Sequence, residues 1–324
     1  MLRALLPLVL LSAAPLPLAA PGGEAGRGAR PSALPSDPRS RVAAALRTSL
    51  PGAPRAVAST RPLLGAPYLA SPLGEGAGPD PDPRFRLDAF DCMTFVETAV
   101  ALASADTLAE AARALDDVRY AGKPSLAGRN HEVLSQWIPS NVAKGWVADV
   151  GAQVAGARAR RETKTFSPES WAAVRAAGRA IRGLPRARLP IGTFGVEVVA
   201  AEDVAAVASR VPEGAIALVV RVDQPERATR ITHAGLVVRG PRGEVRLRHA
   251  TSSRGIARVI EEPIARFLRR EERAYPRWPV SGLAFLEIRA NVARVRSLGA
   301  APAGRSPAGV PGGSAAGSPT RPPL

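Results

Sequence analysis

The apolar periodicity of this chain changes along its length, and that change limits the folds open to it. Up to about residue 182 the apolar residues recur mainly at helical spacing; beyond about residue 194 they tend to alternate. The spacing predicts helices over Arg39–Ser49, Asp91–Ala105, Thr107–Val118 and Ser167–Arg182, and one over His131–Trp146 broken near Pro139. In Asp91–Ala105 the stripe is Phe95, Val96, Ala99, Val100 and Leu102. Ser167 and Pro168 suit a helix start. Leu63–Ser71 reads as turn-rich. Strands are predicted at Phe194–Ala200, Ala215–Val222, Arg230–Val238, Glu244–Ala250 and Ser281–Arg289, with a short helix at Pro263–Arg269. Helices first and strands later predict an α+β fold with an antiparallel sheet and argue against a parallel βαβ array.

The ends of the chain read differently. Residues 1–20 place Arg3 ahead of an apolar run that closes on small residues, the order of a secretory signal peptide. Pro7, Pro15 and Pro17 interrupt that run, and no cysteine follows it to carry a lipid. Residues 21–38 read as a Gly/Pro-rich linker and 298–324 as a disordered tail, leaving one folded domain over 39–297. No later stretch is apolar enough to span a bilayer. The expectation is an exported protein, periplasmic or extracellular, without stable membrane insertion once the signal is cut.

The 324 residues include 1 Cys and 3 His, which excludes a disulfide framework and a four-cysteine zinc site. The formal charge of +16 comes from 44 Lys+Arg against 28 Asp+Glu, almost all of the excess being arginine. No nucleic-acid motif accompanies it, so the charge reads as a solvated basic surface and no nucleic-acid partner is expected. It is unevenly spread: residues 80–118 are acid-rich and 158–188 base-rich, which suggests two lobes that attract each other or frame a ligand.

Cys92 falls at a predicted helix start, where the positive end of the helix stabilises a thiolate and first-turn amides bind an oxyanion. A small buried structural cysteine is the alternative. His233 shares a strand face with Ile231, Gly235 and Val237, and His249 shares one with Val245 and Leu247. Between them lies the turn signal Arg239-Gly240-Pro241-Arg242-Gly243. An odd-numbered loop sets the two imidazoles opposite each other or one same-face step apart, close enough to touch; an even loop separates them. One imidazole then serves as base to Cys92 while the other orients it. A Cys-His-His zinc site competes, but no HxxxH or CxxC spacing supports it, so neither metal nor cofactor is expected.

Several motifs in order resemble a known family: Leu64-Gly65-Ala66-Pro67-Tyr68, Phe90-Asp91-Cys92-Met93-Thr94-Phe95-Val96-Glu97, Arg129-Asn130-His131 with Trp137-Ile138 and Asn141, Thr232-His233-Ala234-Gly235, and His249-Ala250-Thr251-Ser252. Together they resemble the N-acetylmuramoyl-L-alanine amidase-like family (domain of unknown function 1460) of the NlpC-type papain-like cell-wall hydrolases, over about residues 40–290. Met93 and Ala66 depart from the pattern, and 72–87 and 183–230 match nothing in it. The resemblance implies a papain-like fold whose nucleophile helix packs on the antiparallel sheet carrying the histidines. It implies a Cys92 nucleophile, a His233 base, a His249 orienter and a Tyr68 bordering the nucleophile. The implied reaction is hydrolysis of the amide between N-acetylmuramic acid and L-alanine in peptidoglycan or its fragments. A D-Glu–diamino-acid endopeptidase with the same triad and a non-catalytic peptidoglycan binder are the competing readings. Asp91, Arg129, His131 and Trp137 are the further substrate-contact candidates, Asp91 with helix capping and His131 with capping or packing as alternatives. Arg84 and Arg86 read as solvated by default, with a muropeptide carboxylate as a possible partner.

Overall fold

A computed structural model describes residues 37–178 and 184–300. The predicted signal peptide, all but the last two residues of the linker, and the tail beyond residue 300 lie outside the described residues. The chain opens with α1 (Pro38–Thr48), α2 (Ala53–Thr60), α3 (Cys92–Ser104) and α4 (Leu108–Arg119). A π-helical turn (Val133–Trp137) runs into α5 (Ile138–Ala143). Then come β1 (Val147–Asp149), α6 (Gly151–Ala155), β2 (Ala159–Phe166), α7 (Pro168–Ala176), β3 (Gly192–Ala200) and α8 (Val204–Val207). The remainder is β4 (Ile216–Arg221), β5 (Ile231–Arg239), β6 (Val245–Thr251), β7 (Arg258–Pro263), α9 (Ile264–Ala274), β8 (Val280–Ile288) and α10 (Val292–Gly299).

Among the described residues, eight strands form one antiparallel sheet in the order β2-β3-β8-β4-β5-β6-β7, with β1 also paired to β8. The α+β expectation and its antiparallel sheet therefore hold. The strands β1, β2 and β7 and the helices α2, α6, α8 and α10 were not predicted. β2 (ARRETKTF) and β7 (RVIEEP) are rich in charge, so their extended state comes from pairing with β3 and β6 rather than from an apolar pattern. Helix α10 carries the fold to Gly299, two residues past the expected boundary. His131 and Glu132 stay outside the helix predicted from 131, because the Glu132 carboxylate caps the turn by accepting from Ser135 N.

The two faces of the sheet bury separate cores. Ile216, Leu218, Leu236, Val238, Ala250 and Leu286 pack with α1–α4 on one face. Ala217, Val219, Val237, Leu247 and Phe285 pack with Ile264, Phe267 and Leu268 of α9 on the other. This is the alternation a sheet covered on both sides requires. Helix α3 is the centre of the first layer, with every residue from Thr94 to Ser104 buried.

One bulge bears on the site. Val219 pairs with His233, but the next residue, Val220, pairs with Ile231, so Thr232 is the extra residue on β5. The bulge turns Ile231 onto the helix-covered face with Ala234 and Leu236. The expectation that Ile231 shares a face with His233 is therefore corrected: period-two counting fails across an inserted residue. Members of the two charge-rich segments pair with other partners: Asp116 with Arg84, Glu97 with Arg119, Asp117 with Arg294 and Lys164 with Asp223.

Candidate active site

The α3 end is built by local sequence. Asp91 has extended backbone and its Oδ1 accepts from Thr94 N at 2.7 Å, while Thr94 Oγ1 accepts from Asp91 N at 2.9 Å. This reciprocal capping box is closed by Phe90 against Phe95, edge to face with centroids 5.7 Å apart, the staple that fixes how the chain enters the helix. Asp91 Oδ2 also accepts from Ser71 N at 3.1 Å. Asp91 thus acts as the helix cap. The first-turn N–H groups of Cys92 and Met93 have no intrahelical acceptor and remain available.

Cys92 is half-buried. Burial, with Asp91 beside it, pushes its thiol up to about 12, against weaker downward pulls from the N–H groups of Ala234, Met93 and Cys92 itself. The expectation of a thiol lowered by the helix end is corrected: desolvation and the capping carboxylate outweigh the helix amides. Tyr68 stands beside Cys92 and Asp91, with its phenol on Ser252, and burial raises its pKa.

The imidazoles are placed by sheet register. The β5–β6 ladder runs from Arg239↔Val245 to Leu236↔Arg248 around the odd loop 240–244, closed by Gly240 N on Glu244 O at 2.9 Å. His233 and His249 then fall one same-face step apart. Their ring centroids are 4.8 Å apart, and His233 Nε2 lies 2.7 Å from His249 Nδ1. His249 has no exposed surface, and its Nε2 lies 3.0 Å from Glu262 Oε1. Arg270 of α9 grips the same Glu262 oxygen, and Phe267 covers both rings at 5.2 and 5.1 Å. Burial above all, then His249, Arg270 and Arg221, holds His233 well below the usual imidazole value. Burial also lowers His249, against the upward pull of Glu262. At neutral pH both rings are therefore uncharged.

The thiol and the imidazoles come from opposite faces of the sheet. Cys92 arrives with α3 on one face; His233 and His249 stand on the face packed against α9. They approach each other at β5, where the Ala234 N–H beside the sulfur belongs to the residue following His233. Among the described residues Cys92 makes no hydrogen bond to His233, and none engages His233 Nδ1. No group of three or more His, Cys, Asp and Glu there is arranged to hold a metal ion.

The other sequence candidates separate. His131 and Arg129 join Asp91, Met93, Glu97, Arg119 and Asn130 around a cavity of about 190 Å³ beside the α3 start. Arg129 is held by Glu75 at 2.6 Å and Asp80 at 2.7 Å, and His131 Nε2 donates to Leu126 O at 2.6 Å. Trp137 has no exposed surface and lies in the helical core, which corrects its candidacy for substrate contact. Arg84 and Arg86 are engaged by Asp116 and Asp88. A roomier cleft of about 820 Å³ lies between α2 and the β5–β6 turn, but neither Cys92 nor a histidine lines it. Glu262 and Arg270 were missed by sequence reading. An acidic residue in an unpredicted strand, followed eight residues later by one of several arginines, offers no signal of its own.

The fold and these motifs define an amidase-like chain: residues 58–274 match the AmiA-like, N-acetylmuramoyl-L-alanine amidase-like family, and the chain belongs to that family. Among solved structures it is similar to a Legionella pneumophila protein of the family called domain of unknown function 1460, with 20% identity, TM-score 0.59, and coverage of 78% of this chain and 89% of that one. It is similar to an N-acetylmuramoyl-L-alanine amidase from Bacteroides uniformis, with 20% identity, TM-score 0.54, and coverage of 70% and 95%. A putative xylanase from Bacteroides fragilis also matches, with 19% identity, TM-score 0.51, and coverage of 69% and 97%. A search of curated proteins found no match.

Proposed function

We propose that this protein is an exported cysteine amidase that hydrolyses the N-acetylmuramoyl-L-alanine amide bond of peptidoglycan or its fragments, with residues 1–20 directing export. The observation that carries the reading is the His233–His249 hydrogen bond at 2.7 Å beside the strand position that meets the Cys92 sulfur. Family membership supplies the substrate class. In this papain-like arrangement Cys92 is the nucleophile, His233 the base and His249 its orienter.

The chemistry follows from the charge states. The resting thiol is protonated and His233 is neutral, so proton transfer accompanies attack instead of preceding it. Cys92 Sγ attacks the lactyl carbonyl carbon as His233 takes the thiol proton, through a hydrogen bond that forms when substrate binds. The tetrahedral oxyanion is held by the N–H groups of Cys92 and Met93. His233 then gives its proton to the departing L-alanine amine, leaving a thioester to the muramoyl group. Water, deprotonated by His233, attacks that thioester and releases the acid and the thiol. Arg129 and His131, which line the cavity beside the α3 start, and Tyr68, which stands beside Cys92, contact the substrate.

Mass analysis of products from defined muropeptides, with wild type and Cys92→Ala, tests the reading. The expected product is a free peptide beginning with L-alanine, absent with Cys92→Ala. A shortened stem still attached to muramic acid would move the cut to the endopeptidase bond, and turnover by Cys92→Ala would sink the thiol mechanism.

A further inference from the structure

We propose that Glu262 is a positioning residue that fixes the protonation pattern of both histidines and so makes Nδ1 of His233 the basic atom; this rests on the amidase reading only for its kinetic consequences. The inference follows from hydrogen-bond polarity. A carboxylate only accepts, so the 3.0 Å contact requires His249 Nε2 to carry the proton. A neutral His249 then has a bare Nδ1, which accepts from His233 at 2.7 Å. His233 must therefore be protonated on Nε2 and bare on Nδ1, the ring nitrogen that no hydrogen bond engages. Without Glu262 the His249 tautomer is unspecified, and half of its arrangements turn His233 the wrong way round.

Glu262 is suited to that task. It is about one-twentieth exposed, and it sits opposite Leu247 on β7, one same-face step from His249. Burial pulls its pKa upward, but the bonds from His249 and Arg270 hold it below the usual carboxylate value and so ionised. The charged and titratable groups around the pair are Arg266, Arg270 and Glu271 on α9, Arg221 on β4, and His233 on β5. Arg221 is itself paired with Glu271 at 2.9 Å. Glu262 is thus the anion in direct contact with His249 and reaches His233 through that ring. It stabilises the imidazolium formed when His233 takes the thiol proton.

The three histidines make a direct test practical. One-bond and long-range 1H–15N spectra of the purified protein read the tautomer of each ring, with His131→Asn assigning the third. Wild type is expected to show Nε2-protonated His233 and His249. Glu262→Gln keeps an acceptor oxygen, so the tautomers persist while the imidazolium loses its counter-charge. The imidazole limb of the kcat/KM profile then moves to lower pH, and kcat falls about tenfold with KM little changed. Glu262→Met removes the acceptor, mixes the tautomers and lowers kcat by about a hundredfold. Because that variant strands Arg270, the double variant Glu262→Met/Arg270→Met is its control, expected to melt near wild type yet stay as impaired. An Nδ1-protonated His249 in wild type, or unchanged tautomers and kcat in a folded Glu262→Met, would overturn the proposal. Wild-type tautomers as stated with no turnover of muropeptides would support the role of Glu262 and overturn the amidase reading instead.

Discussion

The two faces of the central sheet contribute to the proposed site by different means. On the helix-covered face, a run of eight residues (Phe90–Glu97) caps, staples and begins α3 and delivers Cys92 with its free first-turn amides. On the α9 face, His233, His249, Glu262 and Arg270 come from β5, β6, β7 and α9, and the contacts that chain them span 16, 13 and 8 residues. A thiol at a helix end is placed by neighbours in sequence; an imidazole chain is assembled by register. The two faces differ accordingly in what breaks them.

The largest expected effect tests whether the faces act as one unit. Cys92→Ala and His233→Ala should each lower kcat by about 10⁴-fold or more, and the double variant should lose little beyond either single one, because groups of one unit are non-additive. Additive losses would mean that the thiol and imidazole act separately. On the helix face, Glu97→Ala should destabilise the fold by about 3–5 kcal/mol, since it strands Arg119 at the centre of the layer, both side chains being almost wholly buried. Urea unfolding measures this, and a loss under about 1 kcal/mol would show that Arg119 finds another partner. On the other face, Gly235→Ala should cost about 1–3 kcal/mol and lower kcat as well. Its Cβ would stand 2.7 Å from Leu247 Cγ and 2.9 Å from His249 Cβ, pressing on the residue that bonds His233. Unchanged kinetics with a lowered melting temperature would show that the imidazole pair tolerates the shift. The smallest effect is in pH. Since the thiol is pushed up to about 12 from 9.0, iodoacetamide labelling of Cys92 should keep accelerating above pH 9. A plateau below pH 7 would reveal a preformed thiolate–imidazolium pair instead.

The α3 end was legible because each of its parts is a neighbour in sequence. Asp91, Thr94, Phe90 and Phe95 form a capping box and staple at fixed offsets, and the apolar stripe behind them has helical spacing. The hairpin was legible to the level of parity, since an odd loop was enough to put the histidines on one face. The bulge at Thr232 was not, because nothing in Arg230-Ile231-Thr232-His233 marks an inserted residue; it shows only in the pairing to β4. Trp137 was a substrate-contact candidate because its segment resembles a family motif, yet the π turn directs it into the core.

The sequence by itself determined the helix that carries the thiol, the α+β class and, once the loop is odd, the shared face of two histidines, because these depend on local periods and offsets. The tertiary structure decided the rest. Burial and the capping carboxylate reversed the thiol shift expected from the helix end. The pairing of β7 with β6 brought Glu262 to His249 across 13 residues. Desolvation and strand register are sums over the whole fold, so no short stretch of sequence contains them.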